Sequence, residues 1–192
     1  ATIGKTQAAM DTWAININTG KALAAQADGV LQSTSDLLTR APAGGGSAAA
    51  YSGAAGAGLV SMVARLTIGK KKYLEVEQQM RQALDRSEAL RRDLSQAMER
   101  DAAAFNAVLE AFMLPKETPE QQVERDKAID SATLQAAQVP LEVAGMAVEV
   151  MELALRVARD GNLNAISDGA TGAAMARAAL TGAGYNVRIN VN

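Results

Sequence analysis

The run from Lys70 to Met113 constrains the fold of this chain more than any other feature of its sequence. The run is rich in charged residues, and its apolar residues recur at spacings that add up to helical turns. These apolar positions are Leu74, Met80, Leu84, Leu90, Leu94, Met98, Phe105, Val108 and Leu109. One long amphipathic helix is therefore predicted. Its apolar stripe needs other helices beside it, which predicts an all-α, up-and-down helical bundle with long, partly kinked helices.

The whole chain divides into two parts. Residues 1–32 form an atypical N-terminal lead-in, and residues 33–192 form the helical domain. Pro42 and the glycines after it open an Ala-rich run that ends near Gly69, with Ser47 as the predicted N-cap. Aromatic residues make up only 3% of the chain, so the core must be built from Ala, Leu, Val and Met. Small residues allow this helix to be central and closely packed.

The C-terminal half carries clear helix boundaries. Leu114-Pro115 ends the long helix, because the residue before a proline avoids the α region. Thr118-Pro119 then reads as an N-cap and first residue of a helix that runs towards Asp160. Pro140 should kink or divide this helix. A final Ala-rich helix is predicted from about residue 169 to residue 184, and residues 185–192 have no clear assignment.

Composition excludes several classes of chemistry. The chain has no cysteine and no histidine, which excludes disulfides, thiol nucleophiles, Ser-His-Asp machinery, His-based metal sites and the zinc deaminases. The formal charge of −2 comes from interspersed signs, which argues against sequence-independent nucleic-acid binding. We find no membrane-spanning run of about 18 uncharged residues and no signal peptide, so a cytoplasmic location is expected.

Polar residues that could form a site lie in five short stretches. Each has a structural alternative: a plain helix N-terminus for the glycines, a solvated turn for the lysines, an exposed helical carboxylate for the aspartate, helix caps for the turn, and ordinary surface for the tail. Pattern alone therefore leads no further than a helical bundle. The candidates are Gly44, Gly45, Gly46 and Ser47; Lys70, Lys71 and Lys72; Asp101; Asn162, Asn164 and Asp168; and Asn186 and Asn190.

Several of these stretches nevertheless resemble one family. Ala41 to Ala50, Leu59 to Tyr73 and Asp101-Ala102-Ala103-Ala104-Phe105 are similar to motifs of the formiminotetrahydrofolate cyclodeaminase/methenyltetrahydrofolate cyclohydrolase family. The stretches Leu114-Pro115-Lys116, Val139 to Glu142, Gly161 to Asp168 and Asn186 to Asn190 also match, in the same order. The resemblance covers about residues 33 to 192.

The resemblance implies an all-helical subunit, a homodimer with folate bound near the subunit contact, and neither a metal nor a tightly bound cofactor. It assigns Asp101 as the catalytic acid/base and the other candidate residues to substrate binding. Lys70, Lys71 and Lys72 are expected to bind the carboxylates of a polyglutamylated folate. No nucleic-acid or membrane partner is expected.

Two related reactions fit the resemblance. The run from Thr67 to Tyr73 is closer to stand-alone cyclohydrolases, which favours hydrolysis of 5,10-methenyltetrahydrofolate to 10-formyltetrahydrofolate. The alternative is a cyclodeaminase, which converts 5-formiminotetrahydrofolate to 5,10-methenyltetrahydrofolate and ammonia. A second alternative is a non-catalytic helical assembly protein on the same scaffold. The shared pocket does not separate the two reactions.

Overall fold

A computed structural model describes residues 44–191 of the chain. It contains four long helices: α1 (Gly45–Thr67), α2 (Glu77–Phe112), α3 (Pro119–Asp160) and α4 (Ile166–Val191). Short 3-10 turns at Lys71–Val76 and Leu163–Ala165 precede α2 and α4. No strand occurs among the described residues, so the predicted all-α bundle is confirmed. The predictions for residues 1–32 and for Pro42 lie outside the described residues.

Two helix ends differ from the prediction. Gly44 is the N-cap of α1, and no side chain caps this end. The prediction that Ser47 is the N-cap is therefore wrong: Ser47 is already inside the first turn, and its side chain reaches across to α2. At the other end of the chain, α4 continues helically to Val191 and includes most of the tail that the sequence left unassigned.

The long helix begins at Glu77, seven residues later than predicted. Gly69 has a φ of 75°, a left-handed conformation that suits glycine and reverses the chain after α1. A 3-10 turn then leads into α2, and Tyr73 within it has non-helical angles of φ −119° and ψ 20°. The chain therefore uses Lys71–Val76 to change direction before the α-helix can form.

The predicted boundaries around α3 are confirmed. Thr118 is its N-cap: the Thr118 hydroxyl accepts from the backbone N–H of Gln121 at 3.3 Å, and the Gln121 side chain accepts from the Thr118 N–H at 3.2 Å. This reciprocal capping fixes the start of the helix, with Pro119 in its first position. Pro140 lies inside the helix and does not divide it.

The first helix is the centre of the bundle and contacts each of the other three. A Cβ atom added at Gly53 would lie 3.2 Å from the methyl carbons of Leu94 in α2. One added at Gly56 would lie 2.8 Å from the carbonyl oxygen of Gly172 in α4. The backbones of α1 and α4 therefore approach as closely as glycine permits, and the predicted close packing of α1 is confirmed.

By length and composition, α1 could cross a membrane. The expectation that no segment of the chain meets this test is therefore wrong, because Ala, Gly and Ser leave a long stretch without charge. Within the structure, 61% of the apolar window of α1 is buried. Its apolar surface thus packs mainly against α2, α3 and α4.

Candidate active site

The first turn of α1 lies between α2 and α4, and both of these helices extend beyond it. We call the region past this turn, between the ends of α2 and α4, the recess. This turn is level with Asp101 of α2 and Asn186 of α4. Further along α1 the contacts are with earlier residues of both helices, so α1 runs antiparallel to them. From those levels α2 continues to Phe112 and α4 to Val191. At 1.5 Å per residue, α2 extends about 16 Å and α4 about 7 Å beyond the N-terminus of α1. The two longer helices therefore form walls around it.

Asp101 is half-buried in this recess and is held by Ser47. The Ser47 hydroxyl donates to Oδ2 of Asp101 at 2.8 Å, and the Ser47 residue is only 4% exposed. The alternative acceptor for the same hydroxyl, the Met98 carbonyl, lies further away at 3.4 Å. Among the described residues, no donor reaches Oδ1 of Asp101. One carboxylate oxygen is therefore positioned by Ser47, while the other lies against the backbone of Gly46.

Two of the three glycines at this end are required by close contacts. A Cβ atom added at Gly46 would lie 2.6 Å from Cγ and 2.8 Å from Oδ2 of Asp101. One added at Gly45 would lie 2.9 Å from Nδ2 of Asn186. At Gly44 the nearest atom would be 3.9 Å away, an ordinary contact. Gly46 and Gly45 thus let the carboxylate and the amide lie against the backbone of α1, whereas Gly44 has no such role.

Backbone donors complete the site. The first intrahelical bond of α1 runs from the Ala48 N–H to the Gly44 carbonyl, so the N–H groups of Gly45, Gly46 and Ser47 have no partner within the helix. The first turn contains no acidic residue, and Asp101 supplies the negative charge that the helix dipole favours there. A carboxylate beside open N–H groups can exchange a proton and bind an oxygen atom on which negative charge develops.

The two C-terminal asparagines share one face of α4, because they are four residues apart on a helix. The Asn186 side chain donates to the Gly182 carbonyl at 2.9 Å and lies over Gly45. The Asn190 side chain donates to the Ala136 carbonyl at 3.1 Å and so connects α4 to α3. Asn186 therefore belongs to the recess, and Asn190 supports its wall.

The remaining candidates lie at the opposite end of α1, about 34 Å away at 1.5 Å per residue. They are Lys70, Lys71, Lys72, Asn162, Asn164 and Asp168. Within a single chain α1 therefore separates the two groups of candidates along its full length. Substrate binding by the second group stays a prediction.

Asn162 has a clear structural role at that end. Its backbone N–H donates to Oγ1 of Thr67 at 2.8 Å, and its side chain donates to the Leu66 carbonyl at 3.0 Å. Its side-chain oxygen accepts from the Asn164 N–H at 3.1 Å. Asn162 therefore joins the C-terminus of α1 to the turn before α4, while the lysines are exposed to solvent.

Two features of the recess are given by the structure and not by the sequence. The sequence names Ser47 as a helix cap and as a candidate for substrate binding, and it places Phe105 in an apolar stripe and in the motif of Asp101, but it assigns neither a position beside the carboxylate. Phe105 is 50% exposed and lies one turn beyond Asp101 on the same side of α2. The spacing of four residues was the available signal, but the sequence does not show where α1 begins relative to α2.

Two sequence comparisons relate this chain to known proteins. A sequence profile described as formiminotransferase-cyclodeaminase matches residues 6–192, and so reaches further towards the N-terminus than the motif resemblance. The chain is 49% identical over 155 residues to the methenyltetrahydrofolate cyclohydrolase of Methylorubrum extorquens, covering 80% of this chain and 74% of that protein. It is 36% identical to the formimidoyltransferase-cyclodeaminase of Mus musculus over 77% of its own length, which is 27% of that longer protein.

The fold comparison gives the same result. The crystal structure of formiminotetrahydrofolate cyclodeaminase from Thermotoga maritima matches with a TM-score of 0.67 and 29% sequence identity. The match covers 77% of this chain and 70% of that one. Sequence and fold thus point to the same group of proteins.

Proposed function

Because the chain belongs to the formiminotransferase-cyclodeaminase family, we propose that it is a folate one-carbon enzyme, a methenyltetrahydrofolate cyclohydrolase. Its reaction converts 5,10-methenyltetrahydrofolate and water to 10-formyltetrahydrofolate. The 49% identity to the Methylorubrum extorquens cyclohydrolase over 80% of the chain carries this assignment. The recess at the N-terminus of α1 supplies a carboxylate and backbone donors suited to the chemistry.

The first half of the reaction adds water to the bridge. The bridging carbon belongs to an amidinium cation and is already electrophilic, so water needs orientation and loss of a proton. Asp101 accepts that proton as the bond between oxygen and carbon forms. The N–H groups at the start of α1, which have no partner within the helix, donate to the attacking oxygen and orient it towards the bridge carbon. Ser47 keeps Asp101 in place during this step.

The second half opens the ring. Asp101 returns its proton to the ring nitrogen as the bond between that nitrogen and the former bridge carbon breaks. The added hydroxyl group loses its proton to solvent and becomes the formyl oxygen of 10-formyltetrahydrofolate. One carboxylate thus acts first as base and then as acid, which is typically worth about 10²- to 10⁴-fold in rate.

The cyclodeaminase reaction is the second candidate. The structural match to the Thermotoga maritima cyclodeaminase and the 36% identity to the mouse protein favour it. In that direction Asp101 would protonate the departing amine while a folate nitrogen closes the ring. A non-catalytic scaffold on the same fold is the least supported alternative, because the chain retains a carboxylate, Asp101, that Ser47 holds against Gly46.

We also propose a homodimer that pairs through α3. Four exposed apolar side chains lie at intervals of seven residues along this helix: Leu134, Leu141, Val148 and Leu155. An antiparallel copy centred between Ala144 and Gly145 would place Leu134 against Leu155 of the partner subunit and Leu141 against Val148 of the partner subunit. A Cβ atom at Gly145 would meet nothing within 4 Å, which leaves room for close approach.

Charge complementarity supports this pairing. Asp130 and Arg159 are exposed one turn beyond the two ends of the apolar stripe. In the antiparallel arrangement Asp130 faces Arg159 of the partner subunit, at both ends of the contact. The same arrangement brings the lysine end of one subunit alongside the Asp101 end of the other, which would unite the two groups of candidate residues in the assembly.

The remaining expectations concern cofactor and location. We propose that the reaction uses no metal and no tightly bound cofactor, since the amidinium carbon is activated by its own positive charge. A cytoplasmic location, a polyglutamylated substrate and the absence of nucleic-acid and membrane partners remain expectations from the sequence.

Two parallel assays test the reaction. Loss of the methenyltetrahydrofolate absorbance measures cyclohydrolase activity, and ammonia release from 5-formiminotetrahydrofolate measures cyclodeaminase activity. We expect a higher kcat/KM in the first assay than in the second. A higher kcat/KM in the second would reverse the assignment, and no activity in either would favour the scaffold alternative.

A further inference from the structure

We propose that the phenyl ring of Phe105 is the surface against which the substrate's heterocycle stacks in the Asp101 recess. The inference rests on the proposed function, because it concerns how that substrate is held. It makes Phe105 a positioning residue. Neither the motif resemblance nor the chemistry of the carboxylate assigns this residue a part in substrate binding.

The position of Phe105 follows from where α1 ends. The core-facing stripe of α2 includes Leu90, Leu94 and Met98, all buried. One turn beyond Asp101 this stripe reaches Phe105, which lies past the N-terminus of α1 and is 50% exposed. The wall that α2 forms beyond α1 therefore carries an aromatic residue one helical turn from Asp101.

The ring suits the proposed ligand. The substrate is a flat, cationic heterocycle, and an aromatic face attracts such a group through stacking and through its quadrupole. Residues four apart on a helix have Cβ atoms about 5 to 6 Å apart, so a ring stacked on Phe105 would present its edge to Asp101. Stacking would thus orient the bridge carbon towards the proton acceptor.

Phe112 provides a matched comparison. It lies two helical turns, or about 10 Å, further from Asp101 on the same helix. Its exposed fraction is 52%, against 50% for Phe105, so the two rings differ in distance from the site and hardly in burial. Tyr185 adjoins Asn186 but is turned about 100° from it around α4, so it does not share the face that lies over Gly45.

The experiment compares Phe105→Leu, Phe105→Tyr and Phe112→Leu in the full chain with methenyltetrahydrofolate. We expect Phe105→Leu to raise KM about 3- to 10-fold with little change in kcat, since stacking holds the substrate without entering the chemistry. Phe105→Tyr should restore the wild-type KM, and Phe112→Leu should leave it unchanged. Thermal unfolding of each variant verifies that the fold is intact.

A binding measurement separates this inference from the proposed function. Trp13 is the only tryptophan in the chain, so Phe105→Trp combined with Trp13→Phe creates a single reporter in the recess. Titration with 5-formyltetrahydrofolate should quench its fluorescence, whereas Phe112→Trp in the same background should respond little. Equal KM values for Phe105→Leu and wild type, or equal effects at Phe105 and Phe112, would overturn the inference. A wild-type chain inactive on methenyltetrahydrofolate would instead overturn the proposed function.

Discussion

The Ser47 hydroxyl and the Asp101 carboxylate, 54 residues apart in sequence, are joined by a 2.8 Å hydrogen bond at the N-terminus of the central helix. Ser47 is buried and donates to one carboxylate oxygen only. This contact fixes the orientation of Asp101 and leaves its second oxygen towards the backbone of Gly46. The geometry of the proposed active site therefore depends on how closely α1 and α2 approach at this level.

Replacement of Gly46 by alanine should disrupt this approach. The added Cβ would fall within 2.6 Å of the Asp101 Cγ, so the carboxylate or the helix must move. We expect kcat to fall by about 10²-fold, the size of effect that misplacement of a reacting group produces. Gly44→Ala is the matched control, since its nearest atom would be 3.9 Å away. Equal activity in both variants would show that the close contact does not matter.

Asn162→Ala should affect stability rather than catalysis. It removes the side-chain donor to the Leu66 carbonyl and the acceptor for the Asn164 N–H. We expect the free energy of unfolding in urea to drop by about 1 to 3 kcal/mol, with kcat of the folded protein unchanged. Asn164→Ala keeps that backbone N–H and should be nearly neutral. A selective rise in KM for Asn162→Ala, without destabilisation, would restore its predicted role in substrate binding.

Alanine at Lys70, Lys71 and Lys72 together tests the expected contact with polyglutamate. The lysines lie about 34 Å along α1 from Asp101, too far to contact the reacting end of the substrate in the same chain. We therefore expect an unchanged KM for the monoglutamate and a higher KM for polyglutamates, with a difference that shrinks as salt is added. If KM rises equally for mono- and polyglutamate substrates, the lysines do not bind the polyglutamate chain.

Leu141→Glu tests the proposed dimer contact on α3. The side chain is exposed, so the subunit fold should tolerate the charge, but two such charges would be buried in the proposed contact. Light scattering at micromolar concentration should show a dimer for the wild type and a monomer for the variant. Leu74→Glu, at another exposed leucine, should remain dimeric. A variant at Leu141 that stays dimeric would place the contact elsewhere.

The fold could be predicted from the sequence because its signals are local. The apolar spacing in α2, the capping residues Thr118 and Pro119, and the small residues of α1 each act within a few positions. The prediction was wrong where tertiary contacts decide the outcome. Ser47 looks like a cap because serine usually caps, but here α2 offers its hydroxyl a carboxylate.

The site could be predicted only in part. The resemblance named Asp101, Gly45, Gly46, Ser47 and Asn186, and the structure brings all five together at the N-terminus of α1. The lysine run and Asn162 belong to other motifs of the same family, and these motifs lie at the other end of α1. One long helix thus carries motifs at both of its ends. Order along the chain therefore did not indicate which motifs meet in space.

The central claim is that proton transfer depends on Asp101. Replacement by asparagine keeps the size of the side chain and its ability to accept from Ser47, but it removes proton exchange. We expect kcat for methenyltetrahydrofolate to fall by about 10²-fold or more, with substrate binding changed much less. The unfolding free energy should stay the same or rise slightly, since a half-buried charge has been removed.

The most direct measurement is therefore kcat of Asp101→Asn, determined from the loss of methenyltetrahydrofolate absorbance beside the wild type and Glu99→Gln. Glu99 is exposed and lies two residues before Asp101, about 200° around α2 from it, so its replacement is a control for loss of a carboxylate outside the recess. The account predicts a large loss of kcat for Asp101→Asn and a near-normal kcat for Glu99→Gln. Near wild-type turnover by Asp101→Asn, with binding lost instead, would contradict it and make Asp101 a substrate-positioning residue.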